Sequence, residues 1–266
     1  MKIYISADIE GVTGVTHWDE ANKEKHIYKI FQEQMTREVA AACEGALAAG
    51  AAEILLKDAH GSGRNILPDK LPEEVKIIRG WSGHPLCMVQ ELDESFDALL
   101  FVGYHSRAGA NTNPLAHSLA LAMPSIKIND RFASEFLLHS YAAAMQGVPV
   151  AFLSGDDGVC QDVKAMNGHI ETVAVKQGIG GSTLSIHPNL ALQKIRTAVQ
   201  NALQSDLSLC HIPLPEKFNV EIRYTEHPKA YRASYYPGAR PIDSHTIGFH
   251  TTDYFEVLRL LLFVGS

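Results

Sequence analysis

Acidic and imidazole side chains in this sequence stand where short apolar runs end. Residues 2–6 (KIYIS) lead into Asp8-Ile9-Glu10-Gly11, residues 53–57 (EILLK) into Asp58-Ala59-His60-Gly61, and residues 98–103 (ALLFVG) into Tyr104-His105. Asp8 and Glu10, two apart at the end of a strand, can turn to the same side. Two carboxylates brought together raise the pKa of at least one of them and cost stability. A divalent cation removes that conflict, and carboxylate oxygen with imidazole nitrogen is a donor set that suits zinc. His117, in P-L-A-H-S, and Glu135, in I-N-D-R-F-A-S-E, are two further candidates. Each residue alone has an ordinary reading. Asp58 can orient His60 rather than bind a metal, and Glu135 can simply favour the positive end of a helix. The joint pattern points to a metal site. Ten of the 13 histidines fall outside it and are read as structural.

The elements that must position these residues alternate. Strands are expected at 2–6, 53–57, 75–79, 98–103, 148–153 and 172–175, and helices at 28–49, 133–146 and 189–203, with a short helix around 86–92. Residues 115–123 and 125–129 are expected to form a hairpin with Pro124 in its turn. Such alternation marks right-handed βαβ units on a mostly parallel sheet, and continuously apolar strands mark a sheet covered by helices on both faces. Ligands in such folds bind at the carboxyl ends of the strands, where the three motifs above lie. Near Pro213 and Pro215 the texture changes, to strands at 219–224 and 244–250, a helix near 228–234 and an apolar last helix at 253–264. The expected organisation is an α/β metal-binding catalytic domain, 1–210, and a smaller C-terminal α+β domain, 211–266, which would contribute to oligomer contacts.

Composition excludes more than it selects. The chain has 266 residues, 46% hydrophobic and 20% charged, which fits a globular protein with a sizeable core. A net charge of −7 argues against nucleic acid as a partner. No run approaches the ~20 apolar residues of a membrane span. Cys43, Cys87, Cys160 and Cys210 form no C-x-x-C pair, which suits free thiols rather than disulfides or a thiolate zinc site. The opening MKIYISADIEG lacks the pattern of a secretory signal, so a cytoplasmic location is expected. Gly178-Ile179-Gly180-Gly181-Ser182 hints at nucleotide binding but lacks the full G-x-G-x-x-G spacing.

S-A-D-I-E-G-V-T-G at the start, K-D-A-H-G at 57–61, G-Y-H-S-R-A at 103–108, A-H-S at 116–118, and I-N-D-R at 128–131 with Glu135 resemble, in that order, the zinc D-aminopeptidases of dipeptide-transport operons. The resemblance implies two zinc ions per chain held by Asp8, Glu10, His60, His105 and Glu135, with Asp8 bridging, and His117 as the catalytic residue. It also implies hydrolysis of the N-terminal residue of short peptides containing D-amino acids, such as D-Ala-D-Ala, by a zinc-activated bridging hydroxide. Assembly as a ring-shaped homodecamer enclosing the active sites is implied too. The free α-amine of a substrate would meet a zinc or a nearby carboxylate such as Asp130. The alternatives are another two-metal amidase or hydrolase on the same site, acting on L- or mixed-chirality peptides or on phosphate esters, and a non-catalytic peptide-binding protein.

Overall fold

The computed structural model describes residues 1–265. The chain opens with β1 (Lys2–Ala7), a single turn α1 (Trp18–Ala21) and the long α2 (Tyr28–Ala48), followed by β2 (Glu53–Asp58), β3 (Val75–Ile78) and β4 (Ala98–Tyr104). A two-strand excursion, β5 (Ser125–Ile128) and β6 (Arg131–Phe132), precedes α3 (Glu135–Met145), β7 (Val150–Asp156) and α4 (Asp157–Met166). Next come β8 (Glu171–Ile179), β9 (Ser182–Ser185) and α5 (Pro188–Gln204). The chain ends with β10 (Phe218–Arg223), α6 (His227–Ala233), β11 (Arg240–Pro241), β12 (Thr246–Thr251) and α7 (Tyr254–Val264).

Seven strands form one sheet in the order β3-β2-β1-β4-β7-β8-β9, parallel throughout except for β9. The expected mostly parallel α/β sheet is therefore present. Every residue of β4 and of β7 is buried. Alternation along the strands then divides the interior in two. Ile3, Ile5, Ala98, Leu100 and Val102 point to the face packed by α2 and α5. Tyr4, Leu99 and Phe101 point to the other face and belong to a core that includes Phe136 and Leu138 of α3 and Tyr254 and Leu258 of α7. The second sheet, β11-β12-β10-β5-β6, is antiparallel and draws strands from both sides of position 211.

Two local expectations are corrected. Residues 115–123 form no strand. β5 instead turns back on β6 through Asn129 and Asp130, whose φ values of 50° and 65° are those of a tight hairpin turn. Asn and Asp tolerate that left-handed region, whereas Pro124 offers neither it nor an N–H. The helix expected around 86–92 is only a 3-10 turn, Cys87–Val89, bounded by the left-handed φ of Cys87 and Glu91. The Gly-rich stretch at 178–182 closes the β8–β9 hairpin, with Gly180 and Gly181 between the paired strands.

Candidate metal centre

The turn after β1 seats on the end of β4 because two glycines let it. Gly11 N–H donates to the carbonyl of Gly103 at 2.8 Å, and a Cβ at position 11 would lie 1.8 Å from the carbonyl oxygen of Tyr104. Gly103 has φ +72°, and a Cβ there would lie 2.2 Å from the carbonyl oxygen of Asp8. The Asp8–Gly11 turn therefore lies directly on the end of β4, which brings Asp8 and Glu10 to His105. Asp58, at the end of β2, is occupied elsewhere: its carboxylate accepts from the backbone of Asn65 and Ile66 and from the Asn65 amide. That amide also donates to the carbonyl of His60 at 2.6 Å, so Asp58 shapes the loop that presents His60.

Six side chains converge. His60 Nδ1 lies 3.0 Å from Glu10 Oε2 and 3.2 Å from Asp8 Oδ1. His105 Nε2 lies 3.3 Å from Glu135 Oε2 and 3.5 Å from Asp8 Oδ2. Asp8 thus turns one oxygen to each histidine. Glu135 opens α3 behind the N-cap Ser134, and its Oε1 accepts from Leu119 N–H at 2.7 Å. His117 stacks on His105 with ring centroids 4.4 Å apart, and its Nε2 is 3.7 Å from Glu135 Oε1. Asp8, Glu10, His105 and Glu135 are each at most 3% exposed.

The hydrogen bonds fix which way each ring faces. His60 Nε2 donates to the carbonyl of Ala21 at 2.8 Å, His105 Nδ1 to that of Ser106 at 2.9 Å, and His117 Nδ1 to that of Leu115 at 2.9 Å. A ring nitrogen facing a carbonyl must carry the proton, so in each neutral imidazole the lone pair is on the nitrogen turned toward the carboxylates. Lone pairs and carboxylates facing one another repel unless a cation lies between them. Glu10 Oε2 and His105 Nε2, both fully buried, have no hydrogen-bond partner. Donor atoms of Asp8, Glu10 and His105 fall within 4.8 Å of one another, as do those of His105, His117 and Glu135. The donor set fits a metal of zinc's type.

Electrostatics states the same problem in protons. Burial and the charge of Glu10 push the Asp8 carboxyl well above its usual range. Burial alone would raise Glu10 too, but His60 beside it holds it well below. Burial likewise opposes protonation of His60 and His105; the carboxylates more than offset it, raising His60 well above its ordinary value and His105 to about 10. Glu135 is held at about 2, because His105 outweighs its burial. The site demands positive charge.

The cluster opens on a cavity of about 400 Å³. Sequence reasoning missed much of its lining. Trp18, whose ring meets His117 edge-on at 5.2 Å, carries no motif. His139, one of the ten histidines read as structural, also lines the cavity and donates from Nδ1 to the carbonyl of Glu135. Its i+4 spacing from Glu135 was the available signal. Asp130 stands apart, on a different cavity shared with Arg107, Arg131 and Asp162.

A buried cluster of carboxylates and oriented imidazoles at the carboxyl edge of a parallel sheet, opening on a cavity, is the site of a metal-dependent hydrolase. The chain matches the Peptidase_M55 family, described as D-aminopeptidase, over residues 1–263, and it belongs to that family. It is 29% identical over 264 residues to the D-aminopeptidase of Bacillus subtilis (strain 168), spanning 98% of this chain and 96% of that one. Its fold is similar to the Zn-dependent D-aminopeptidase DppA from Bacillus subtilis, described as a self-compartmentalizing protease, with a TM-score of 0.93 and 29% identity. That likeness covers 100% of this chain and 97% of the other. Among the described residues, no helix is long and apolar enough to cross a membrane.

Proposed function

We propose that this chain is a cytoplasmic zinc aminopeptidase that removes the N-terminal residue of short peptides containing D-amino acids, such as D-Ala-D-Ala. Two zinc ions would be held by Asp8, Glu10, His60, His105 and Glu135, with Asp8 between them. The observation that carries this reading is the orientation of the histidines: each is tied by one nitrogen to a carbonyl and turns the other toward buried carboxylates. The two oxygens of Asp8, facing different histidines, support a bridging role. Zinc, when bound, supplies Lewis acidity, polarising a carbonyl oxygen and lowering the pKa of water toward ~7.

His117 suits the catalytic place. Its side chain is 14% exposed and lines the cavity, whereas that of His105, stacked behind it, is sealed. With Nδ1 fixed on the carbonyl of Leu115, Nε2 can hold a proton and hand it to the departing amine. Assembly as a ring-shaped homodecamer is part of the same proposal, and the description of the relative as self-compartmentalizing supports an assembly that encloses the sites.

The test joins metal analysis of protein purified without chelators to cleavage of D-Ala-D-Ala and L-Ala-L-Ala. About two zinc ions per chain and faster cleavage of the D-peptide are expected; fewer than about 0.5 would overturn the two-zinc reading. His117→Ala should lower kcat about 10²–10⁴-fold at unchanged zinc content. A kcat within about threefold of wild type would remove His117 from the catalytic role.

A further inference from the structure

We propose that the apolar part of the cavity wall is a subsite for an uncharged, apolar side chain next to the scissile bond, with Leu262 and Trp81 as its specificity-determining residues. This rests on the peptidase reading above and goes beyond it in naming the side-chain class. The cavity that holds the candidate metal donors is also lined by Trp81, Met88, Leu138, Leu258, Leu261 and Leu262 and, among the described residues, by no lysine or arginine. Its volume of about 400 Å³ suits a short peptide rather than a folded chain.

The two halves of the lining are tied to the same elements. Leu138 stands one turn after Glu135 on α3, so at 1.5 Å per residue the apolar wall begins about 5 Å along the helix from a candidate zinc ligand. On α7, Leu258, Leu261 and Leu262 follow the i, i+3, i+4 spacing of one helix face. Leu258 and Leu261 are buried, and Leu262, half-buried, is the most accessible of the three. Trp81 is 41% exposed, a cost for so large an apolar ring, and it is held in place. Its Nε1 donates to the carbonyl of Gly61, the residue after His60, and the Lys57 ammonium lies 3.9 Å from the ring centroid. Lys57 itself donates to the carbonyls of Asp58 and Gly80. Its charge supports the tryptophan and does not line the cavity.

A peptide whose scissile carbonyl lies at the carboxylate–imidazole cluster therefore sets a neighbouring side chain against leucine and indole. An apolar side chain is desolvated there at a gain. An acidic one meets no basic partner in that wall and is rejected.

The test compares kcat/KM for dipeptides with alanine, leucine or glutamate at the N-terminal position or the next, in both chiralities, on the zinc-loaded enzyme. Wild type should favour leucine over glutamate by about 10–200-fold at one of the two positions. Leu262→Lys should lower that ratio at least about tenfold at unchanged zinc content. Leu262→Ala, a milder change, should lower the leucine-to-alanine ratio. Ratios within about threefold of one in wild type, or untouched by both variants, would overturn the subsite. Binding is read separately through the quenching of tryptophan fluorescence, since both tryptophans, Trp18 and Trp81, line the cavity. A protein that ranks leucine above glutamate in binding yet cleaves neither would sustain the subsite and defeat the peptidase reading. One that cleaves both alike would do the reverse.

Discussion

Lys176 on β8 shows how much of the site depends on a residue outside it. Its ammonium reaches across 166 positions to the carbonyl of Glu10 and also bonds that of Val15, each at 2.5 Å, and so fastens both ends of the turn that carries Asp8 and Glu10. Burial lowers its pKa to about 8 against the pull of Asp156, Glu10 and Glu38, so it is still mostly charged at pH 7. On the same turn, Thr13 N–H donates to Glu38 Oε1. Lys176→Met would leave the carbonyl of Val15 without its donor, at about 1–3 kcal/mol, and that of Glu10 with the Asn113 amide alone. The expected result is a lower denaturation midpoint together with weaker zinc binding in a competition titration against a chelator. Zinc affinity equal to wild type at reduced stability would make Lys176 a purely structural staple. Its role had no local signal, because a lone lysine in a strand declares nothing until the fold brings it under a turn far away in sequence.

At the scale of elements, the decisive contact is the seating of the β1 turn on the end of β4. Gly103→Ala would put a Cβ 2.2 Å from the carbonyl of Asp8 at a φ of +72°. The left-handed conformation alone costs a non-glycine residue about 1–3 kcal/mol, and the clash adds to it. The strand ends should part, lowering the urea midpoint and the zinc content together; a variant with wild-type stability and metal content would show that the turn can be reseated. The same contact explains what could be read from sequence. Strands reveal themselves through local apolar runs, and the residue after each strand necessarily lies at the sheet edge, so the meeting of Asp8, Glu10, His60 and His105 followed from where runs stopped. Glu135 and His117 followed from residue type and motif order. The path between them did not, since residues 115–123 have strand-like composition but hold their shape through long-range bonds, such as Ser118 Oγ to the carbonyl of Ala133. Nor did the role of α7. Its apolar surface fits intramolecular packing and a subunit interface equally well in sequence; in the structure it packs into the core and also lines the cavity.

For the whole molecule, the parts are closed against one another by buried tyrosine hydroxyls as well as by apolar contact. Tyr4 donates to the carbonyl of Gln90, Tyr254 to that of Leu138, Tyr224 to that of Val264, and Tyr28 to the Asn65 side chain. Each bond joins elements distant in sequence, and together they span both hydrophobic cores. Burial, reinforced by Glu91, pushes Tyr4 well above 10, and burial with Tyr141 does the same to Tyr254. Tyr28 is raised to about 12 by burial and Asp58, and Tyr224 is raised by burial. Below pH ~10 these hydroxyls are protonated in both folded and unfolded chains and add no pH dependence. Above it the unfolded chain releases protons that the folded one retains, so stability falls as pH rises, by up to ~1.4 kcal/mol per pH unit for each such tyrosine. Tyr28 ceases to contribute once pH passes about 12, its folded value. The expected outcome is a tyrosine contribution to the denaturation midpoint that is flat from neutral pH to ~9 and falls steeply beyond ~10. Tyrosinate absorbance from these four should appear with the loss of secondary structure and not before it. If they ionise near pH ~10 while the circular dichroism of the folded chain is unchanged, their hydroxyls are not the closures described here.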